Sequence, residues 1–335
     1  MLKDPINQNK QEEEFERSLR PVNLSEVIGR EQEKTNIKMM IESAKKRNKS
    51  LDHIIFHGPP GLGKTSLAYV IANEMGVSIH TTNGSLIQKA GDLAALLTSL
   101  EPYSILFIDE IHRLRSNIEE ILYPAMEDSA LDIIIGKGPS AKTIRLDLPY
   151  FTLIGATTRL SMLSSPLRDR FGMHFRLDYY SDEELKQLVL QKARMMNLKI
   201  DDDAALEISR RSRMTARIAI RILKRVRDMA TVMNISQINR DIVKETLNLL
   251  FIDQNGLDEL DRSILKTIMG NFENKPVGLS TLAVAISEER ETIEQVYEPF
   301  LIKKGYLKRT PRGRVVTAKG VEEYGVEFID IISEL

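Results

Sequence analysis

Two groups of residues in this chain are spaced for phosphate chemistry. Gly58-Pro59-Pro60-Gly61-Leu62-Gly63-Lys64-Thr65 fits G-x-x-x-x-G-K-[ST], a loop whose backbone N–H groups close round a phosphate. In that pattern Gly61, Leu62, Gly63, Lys64, Thr65 and Ser66 make the cradle. Lys64 reaches the β- and γ-phosphates of ATP, the Thr65 hydroxyl binds Mg²⁺, and the following helix N-terminus adds a partial positive charge. Further on, Ser104-Ile105-Leu106-Phe107-Ile108 runs into Asp109-Glu110. A fully apolar run ending in two acids predicts a buried parallel strand that delivers carboxylates at its C-terminal edge. Asp109 then helps to hold Mg²⁺, and Glu110 polarises the attacking water as general base. An acidic pair at the surface after a strand is a common alternative for 109–110; its position downstream of a P-loop favours the catalytic reading.

These groups require particular elements around them. Ile54-Ile55-Phe56 predicts a buried strand before the loop, and Ser66–Ala72 a helix after it. Val77–Thr81 predicts a strand, and Leu93–Leu100 and Ile118–Met126 predict helices. Phe151–Ala156 predicts another buried strand, ending at Thr157-Thr158-Arg159, where a polar tip beside the loop can sense the γ-phosphate or orient the water. Ser165-Pro166-Leu167-Arg168-Asp169-Arg170-Phe171 offers either a surface ion pair through Asp169 or an arginine finger for a neighbouring subunit's nucleotide. A finger contributes about 10³–10⁵ in rate, and the motif order favours it. Leu131–Ile135 and Thr143–Leu146 flank Gly136-Lys137-Gly138-Pro139 as a hairpin, either a partner-binding arm or a sheet extension. Residues 1–16 read as a flexible tail, and Leu19-Arg20-Pro21 as a packed lead-in to a helix over Glu31–Lys46.

After Tyr180 the grammar becomes helical: Asp182–Met196, Asp202–Ser212, Ala216–Met233 and Asn239–Leu250. Ser181 with Glu184 predicts an N-terminal capping box. Ile218, Ile222, Val226, Met229 and Met233 predict the buried stripe of the third helix. Residues 210–227 carry eight basic side chains and no acid, which reads mostly as a solvated face. From about Asp253 three helices, the last over Glu288–Tyr297, precede a hairpin around Pro311-Arg312-Gly313-Arg314, the order of a winged helix. Glu288, Glu289, Glu291, Glu294 and Glu298 crowd its recognition helix and repel phosphates. Lys303, Lys304, Lys308, Arg309, Arg312 and Arg314 form a local basic patch, so the wing is expected to touch DNA through its backbone, independently of sequence. A winged helix used for protein contacts is the alternative.

With 335 residues the chain accommodates two or three domains, and 42% hydrophobic and 28% charged residues describe an ordinary soluble protein. The net charge of −1 does not announce nucleic acid. The absence of cysteine excludes disulfides and thiolate metal sites, and the histidines, 5 in all, lack ligand spacing. No apolar run approaches the roughly 18 residues of a membrane helix, and no secretory leader is visible, so no membrane role and a cytoplasmic location are expected.

The ordered set of motifs resembles the RuvB family of AAA+ ATPases, the bacterial Holliday-junction branch-migration motors. It comprises the P-loop, Asp109-Glu110, Gly155-Ala156-Thr157-Thr158-Arg159, Leu167-Arg168-Asp169-Arg170-Phe171-Gly172, the helical segment and the winged helix. Ile135-Gly136-Lys137-Gly138-Pro139-Ser140-Ala141, Pro276-Val277-Gly278-Leu279 and Thr310-Pro311-Arg312-Gly313-Arg314 are more specific than a bare P-loop. The resemblance implies an α/β P-loop AAA+ core with a parallel sheet over 1–180, an all-α lid domain over 181–252 and a C-terminal winged-helix domain over 253–335. It implies a homo-hexameric ring with ATP and Mg²⁺ between subunits. Leu19, Arg20, Tyr180 and Arg217 would line the nucleotide, with Glu127, Asp128 and Ser129 near it. Thr158 would be sensor 1, Arg217 sensor 2 and Arg170 the finger in trans. Arg309 and Arg314, with Lys308 and Arg312 beside them, would contact DNA. The hairpin 131–148 would bind RuvA, and RuvC would be a further partner. An assembly factor of the clamp-loader kind and a protein remodeller share the same core. Two positions depart from the family pattern: Met214-Thr215-Ala216-Arg217 stands for Gly-Thr-Pro-Arg, and Ile28-Gly29-Arg30 for Ile-Gly-Gln.

Overall fold

The computed structural model describes residues 18–135 and 142–325. The tail expected at 1–16 and the hairpin turn at 136–141 lie outside the described residues. The chain divides into two compact units, Met1–Tyr179 and Tyr180–Leu335.

Among the described residues the first unit carries a five-stranded sheet in the order β2-β3-β6-β1-β7. Its strands are β1 (Ile54–His57), β2 (Ile79–Asn83), β3 (Ile105–Asp109), β6 (Thr152–Thr157) and β7 (Met173–Arg176). All pairings are parallel, with Ile54 level with Ile154 on one side and Met173 on the other. β6 is buried throughout and β3 up to Ile108, as continuous apolar runs require when helices cover both faces. β4 (Ala130–Ile135) and β5 (Lys142–Asp147) form a separate antiparallel ladder. β7 was not anticipated: Met-His-Phe-Arg is short and buries only Phe175 fully, as befits an edge strand. The helix after the P-loop spans Lys64–Met75 and ends on left-handed Gly76. Gly58 has φ +142°, and a Cβ there would lie 2.3 Å from Leu177 O, so only glycine fits where β1 turns into the loop. The apolar core lies between the sheet and the helices Ala90–Thr98 and Ser116–Asp128, around Leu93, Leu97, Ile118 and Leu122.

The second unit begins with four helices, Asp182–Met195, Asp202–Arg210, Ala216–Val232 and Arg240–Leu249. Ser181 and Glu184 form the expected capping box. The stripe of the third helix is rotated from the expected one: Ala219, Ile222, Leu223, Val226 and Ala230 are buried, whereas Met233 is exposed. The basic run is also less solvated than its composition suggests, because Arg211, Arg213 and Lys224 are buried.

The winged head follows, with helices Glu259–Met269 and Leu279–Ala285. The expected recognition helix over Glu288–Tyr297 is instead an α-turn (Arg290–Thr292), a π turn (Ile293–Tyr297) and an α-helix (Glu298–Lys304). β8 (Leu307–Thr310) and β9 (Gly313–Val316) make the wing. Val277 and Arg314 exchange backbone hydrogen bonds of 2.9 and 2.8 Å, which tie β9 to the segment before the second helix. Gly313, at φ +138°, leaves no room for a Cβ, which would meet Val277 O at 2.4 Å.

Candidate active site and nucleic-acid interface

The C-terminal ends of the strands gather the P-loop, the acidic pair and the Thr158 tip. Left-handed Gly61 and Gly63 turn the loop, and Gly63 caps the helix that begins at Lys64. Lys64 is 7% exposed, and its Nζ donates to Gly58 O and Pro59 O at 2.8 Å each, which holds the ammonium over the loop. Thr65 Oγ1 donates to Asp109 Oδ2 at 3.4 Å, so the two expected metal ligands already face each other. Two hard oxygen donors in this arrangement suit Mg²⁺, which takes one or two protein ligands and fills its shell with phosphate oxygens and water. Glu110 follows at φ +48°, a left-handed conformation that turns its carboxylate out of the strand line. Thr158 Oγ1 donates to Glu110 Oε2 at 3.4 Å.

His112 was missed in the sequence, although it stands only two residues after Glu110. Its Nε2 lies 3.3 Å from Glu110 Oε2, and its Nδ1 lies 2.8 Å from the buried Thr157 hydroxyl. Burial holds its pKa below the usual histidine value, against the pull of Glu110. The signal for it is the run Asp109-Glu110-Ile111-His112 itself.

The lead-in packs against the same end. Leu19 is buried, and the Arg20 guanidinium lies 4.9 Å from the Tyr69 ring centroid, over the P-loop helix. Arg30, one of the two departures from the family pattern, is 9% exposed. Its Nη2 donates to Asp178 O at 2.8 Å and Leu62 O at 3.4 Å, so the guanidinium braces the loop.

Arg170 lies at the other end of the sheet. It stands three residues before β7, whose Met173 N donates to His53 O just before β1 begins. Its guanidinium lies 4.3 Å from the Tyr123 ring centroid, its Nε is 3.1 Å from Glu127 Oε1, and Nη1 donates to Pro166 O at 2.7 Å. Glu127, not Asp169, is thus its carboxylate. Glu127, Asp128 and Ser129 belong to this end, not to that of Lys64, and Asp128 accepts from Arg145 of the hairpin at 2.7 Å. Arg170, Glu127 and Ser129 border a cavity of about 590 Å³, which Tyr103, Tyr150 and Arg47 also line. His53 braces this end: its Nδ1 accepts from Leu153 N at 2.8 Å, and its Nε2 donates to Met126 O at 3.1 Å.

In the second unit Tyr180 is buried and donates its N–H to Met214 O at 3.1 Å. Arg217 is exposed in the first turn of the helix that Thr215 caps.

The wing presents Lys308, Arg309 and Arg312 to solvent. Glu298, read from the sequence as one of five surface carboxylates, has a side chain with 0% exposure. It accepts from Arg309 (Nε, 2.6 Å; Nη2, 2.9 Å) and from Arg314 (Nε, 3.0 Å; Nη2, 3.2 Å). The two arginines differ: the Arg309 side chain is 49% exposed and the Arg314 side chain 16%. Charge-assisted hydrogen bonds donated to Glu298 hold the Arg309 guanidinium in its charged form.

Comparisons with known proteins cover the chain. Residues 19–177 match the model of the Holliday junction DNA helicase RuvB P-loop domain. Residues 180–253 match the RuvB AAA lid domain, and 254–325 the RuvB C-terminal winged helix domain. A Holliday junction branch migration complex subunit RuvB from Fusobacterium nucleatum is 55% identical over 311 residues, 93% of this chain and 94% of that protein. A solved Thermotoga maritima RuvB Holliday junction branch migration motor is 49% identical with a TM-score of 0.83, covering 91% of this chain and 98% of that one. A single-site variant of that protein is 50% identical with a TM-score of 0.84, covering 91% and 97%.

Proposed function

The chain belongs to the RuvB family, and on that premise we propose that it is an ATP-driven motor that moves the arms of a four-way DNA junction. Its enzymatic activity is ATP hydrolysis. The backbone of Gly61–Ser66 and Lys64 bind the phosphates, and by family resemblance Leu19, Arg20, Tyr180 and Arg217 would be further nucleotide-binding residues. Thr65 and Asp109 would hold Mg²⁺, which neutralises phosphate charge when bound. Glu110 takes the proton of the attacking water, and Thr158 fixes the carboxylate's direction by its hydrogen bond.

The observation that carries the ring reading is the separation of Lys64 from Arg170. One chain has its P-loop beyond the C-terminal ends of its strands and its candidate finger beyond the N-terminal ends. In this reading a second copy brings Arg170, with Glu127, Asp128 and Ser129, to the first copy's phosphates. Repeated head to tail, that contact closes a ring, here a homo-hexamer by family resemblance. Lys308, Arg309, Arg312 and Arg314 grip duplex phosphates without reading bases. RuvA docks on the hairpin 131–148, and RuvC joins the same assembly. No helix among the described residues is long and apolar enough to cross a membrane; the cytoplasmic location is proposed from the family reading.

A synthetic four-way junction tests the function directly. The motor separates its arms when ATP and RuvA are present. An assembly factor hydrolyses ATP faster with duplex DNA yet moves no strand, and a protein remodeller shows no stimulation by DNA.

A further inference from the structure

Arg213 is buried between the helical lid and the winged head, and it makes contacts that its neighbours in the basic run do not. Its Nη1 donates to Asp258 Oδ2 at 3.1 Å and Asp261 Oδ2 at 2.8 Å. Its Nη2 donates to Asp261 Oδ1 at 3.2 Å and Val296 O at 3.2 Å. The guanidinium lies 5.0 Å from the Tyr297 ring centroid and 4.6 Å from that of Phe300. One side chain thus grips the first helix of the head by its N-cap and first turn and the recognition helix at its π turn. Asp261 has an entirely buried side chain. Burial pushes its carboxyl up to about 8 while Arg213 pulls it down, so the pair is held out of water and its loss leaves a buried acid without its fork.

The backbone under Arg213 is as specific as its side chain. Arg213 and Met214 are both left-handed, at φ +53° and +55°, with no glycine to relieve them. Non-glycine residues persist in that region when surrounding contacts over-determine them. Met214 O accepts Tyr180 N, the Met214 side chain packs on the apolar core of the head, and Thr215 caps the helix that carries Arg217. Close by, left-handed Gly256 presses on the Arg211 backbone, where an added Cβ would lie 3.1 Å from Arg211 Cα. Met214 is also where the family's glycine is replaced, and the replacement adds an apolar contact with the head.

We infer that the Arg213-Met214 pair is a rigid joint that fastens the winged head to the Arg217 helix, so that lid and head move together as one lever. Arg213 is a positioning residue in this role and touches neither nucleotide nor DNA. The joint lies next to the two residues, Tyr180 and Arg217, that line the nucleotide in the proposed function, and the inference rests on that reading for its purpose. A movement of these residues when nucleotide binds or leaves is passed to the wing without slack.

The chain contains no cysteine, so Glu245→Cys in the lid and Lys275→Cys in the head can carry spin labels at exposed positions. In the full-length protein the interlabel distance distribution is narrow, and Arg213→Ala broadens it. ATP hydrolysis without DNA stays within about twofold, while junction movement per ATP hydrolysed falls about tenfold, the size of effect that loss of a coupling contact produces. Met214→Gly keeps the backbone conformation without strain and removes only the apolar contact; it broadens the distribution less, and it decides the matter if Arg213→Ala does not fold. A distribution as narrow as in the parent in the folded variants, or undiminished movement per ATP, overturns the joint. A broadened distribution in a protein that moves no junction even without these changes keeps the joint and overturns the motor.

Discussion

Lys64 and Arg170 stand at opposite ends of one parallel sheet. Lys64 opens the helix that leaves the C-terminal end of β1, and Arg170 precedes β7 at the level where β1 begins. A strand of this length spans roughly 13 Å at about 3.3 Å per residue, so the two charges cannot share one phosphate within one chain.

Arg170→Ala is therefore expected to lower ATP turnover about 10³-fold or more while leaving nucleotide binding intact. Mixed with Lys64→Ala, it regains activity, because an interface where the Arg170→Ala subunit gives the loop and the Lys64→Ala subunit gives the finger has both intact. Turnover of the mixture that equals the sum of the separate variants refutes the action in trans.

Glu110→Gln is expected to bind ATP normally and to hydrolyse it about 10²–10⁴ times more slowly, the range for loss of a general base. Thr158→Val removes the hydroxyl 3.4 Å from Glu110 Oε2 and lowers turnover less. Single-turnover hydrolysis and nucleotide binding, measured on the same preparations, separate the two steps. A normal rate in Glu110→Gln rules out Glu110 as base.

The two wing arginines are expected to differ in what they do. Arg309→Ala weakens duplex binding about equally for all sequences and reduces the salt slope of binding by about 1. Arg314, mostly covered and hydrogen-bonded to buried Glu298, contributes more to stability; Arg314→Ala costs about 2 kcal/mol in urea unfolding. Lys308→Ala, on the exposed face of β8, serves as the control and leaves stability within about 0.5 kcal/mol. Equal losses of stability in Arg314→Ala and Lys308→Ala contradict this division.

Stability is expected to fall in mildly acidic solution through His53. Burial keeps its imidazole neutral and its pKa below 6.5, against the opposing pull of its Met126 hydrogen bond and of Asp52. Between the lowered folded value and 6.5 the unfolded chain binds more protons than the folded one, so stability rises with pH there. This contribution is complete above 6.5 and is lost as pH falls through the folded value. His53→Gln can keep both hydrogen bonds without titrating. Its melting temperature should drop less than that of the parent between pH 7.5 and pH 5.5, and an identical drop excludes His53 as the source.

The sequence made some of this legible and hid the rest for physical reasons. The P-loop and Asp109-Glu110 could be read because their chemistry is local: one strand end, one turn and one helix start supply it. The hairpin and the winged-helix order followed from turn residues and apolar spacing. Arg213 looked like one more solvated cation, because the carboxylates that bury it lie 45 and 48 residues further along the chain. Arg170 suggested a pair with its neighbour Asp169, whereas its carboxylate comes from the end of a preceding helix. β7 carries too few apolar residues to announce itself and exists because β1 offers an edge. Glu298 reads as one more outward acid because ordinary helical spacing through Ile293–Tyr297 would place it there.

That spacing fails at the π turn, which acts as a phase shifter. At 100° per residue, Glu298 would stand about 140° round the axis from core residue Ile293, on the solvent side with its fellow acids. A wider turn of five residues consumes the extra angle and brings Glu298 to the inner face. With all of its residues kept but wound at the ordinary pitch, this segment would swing Glu298 outward. Both wing arginines would lose their shared anchor in one step, and the outer surface of the recognition helix would gain another negative charge. The presentation of the wing arginines therefore depends on how tightly one helix winds as much as on the arginines themselves.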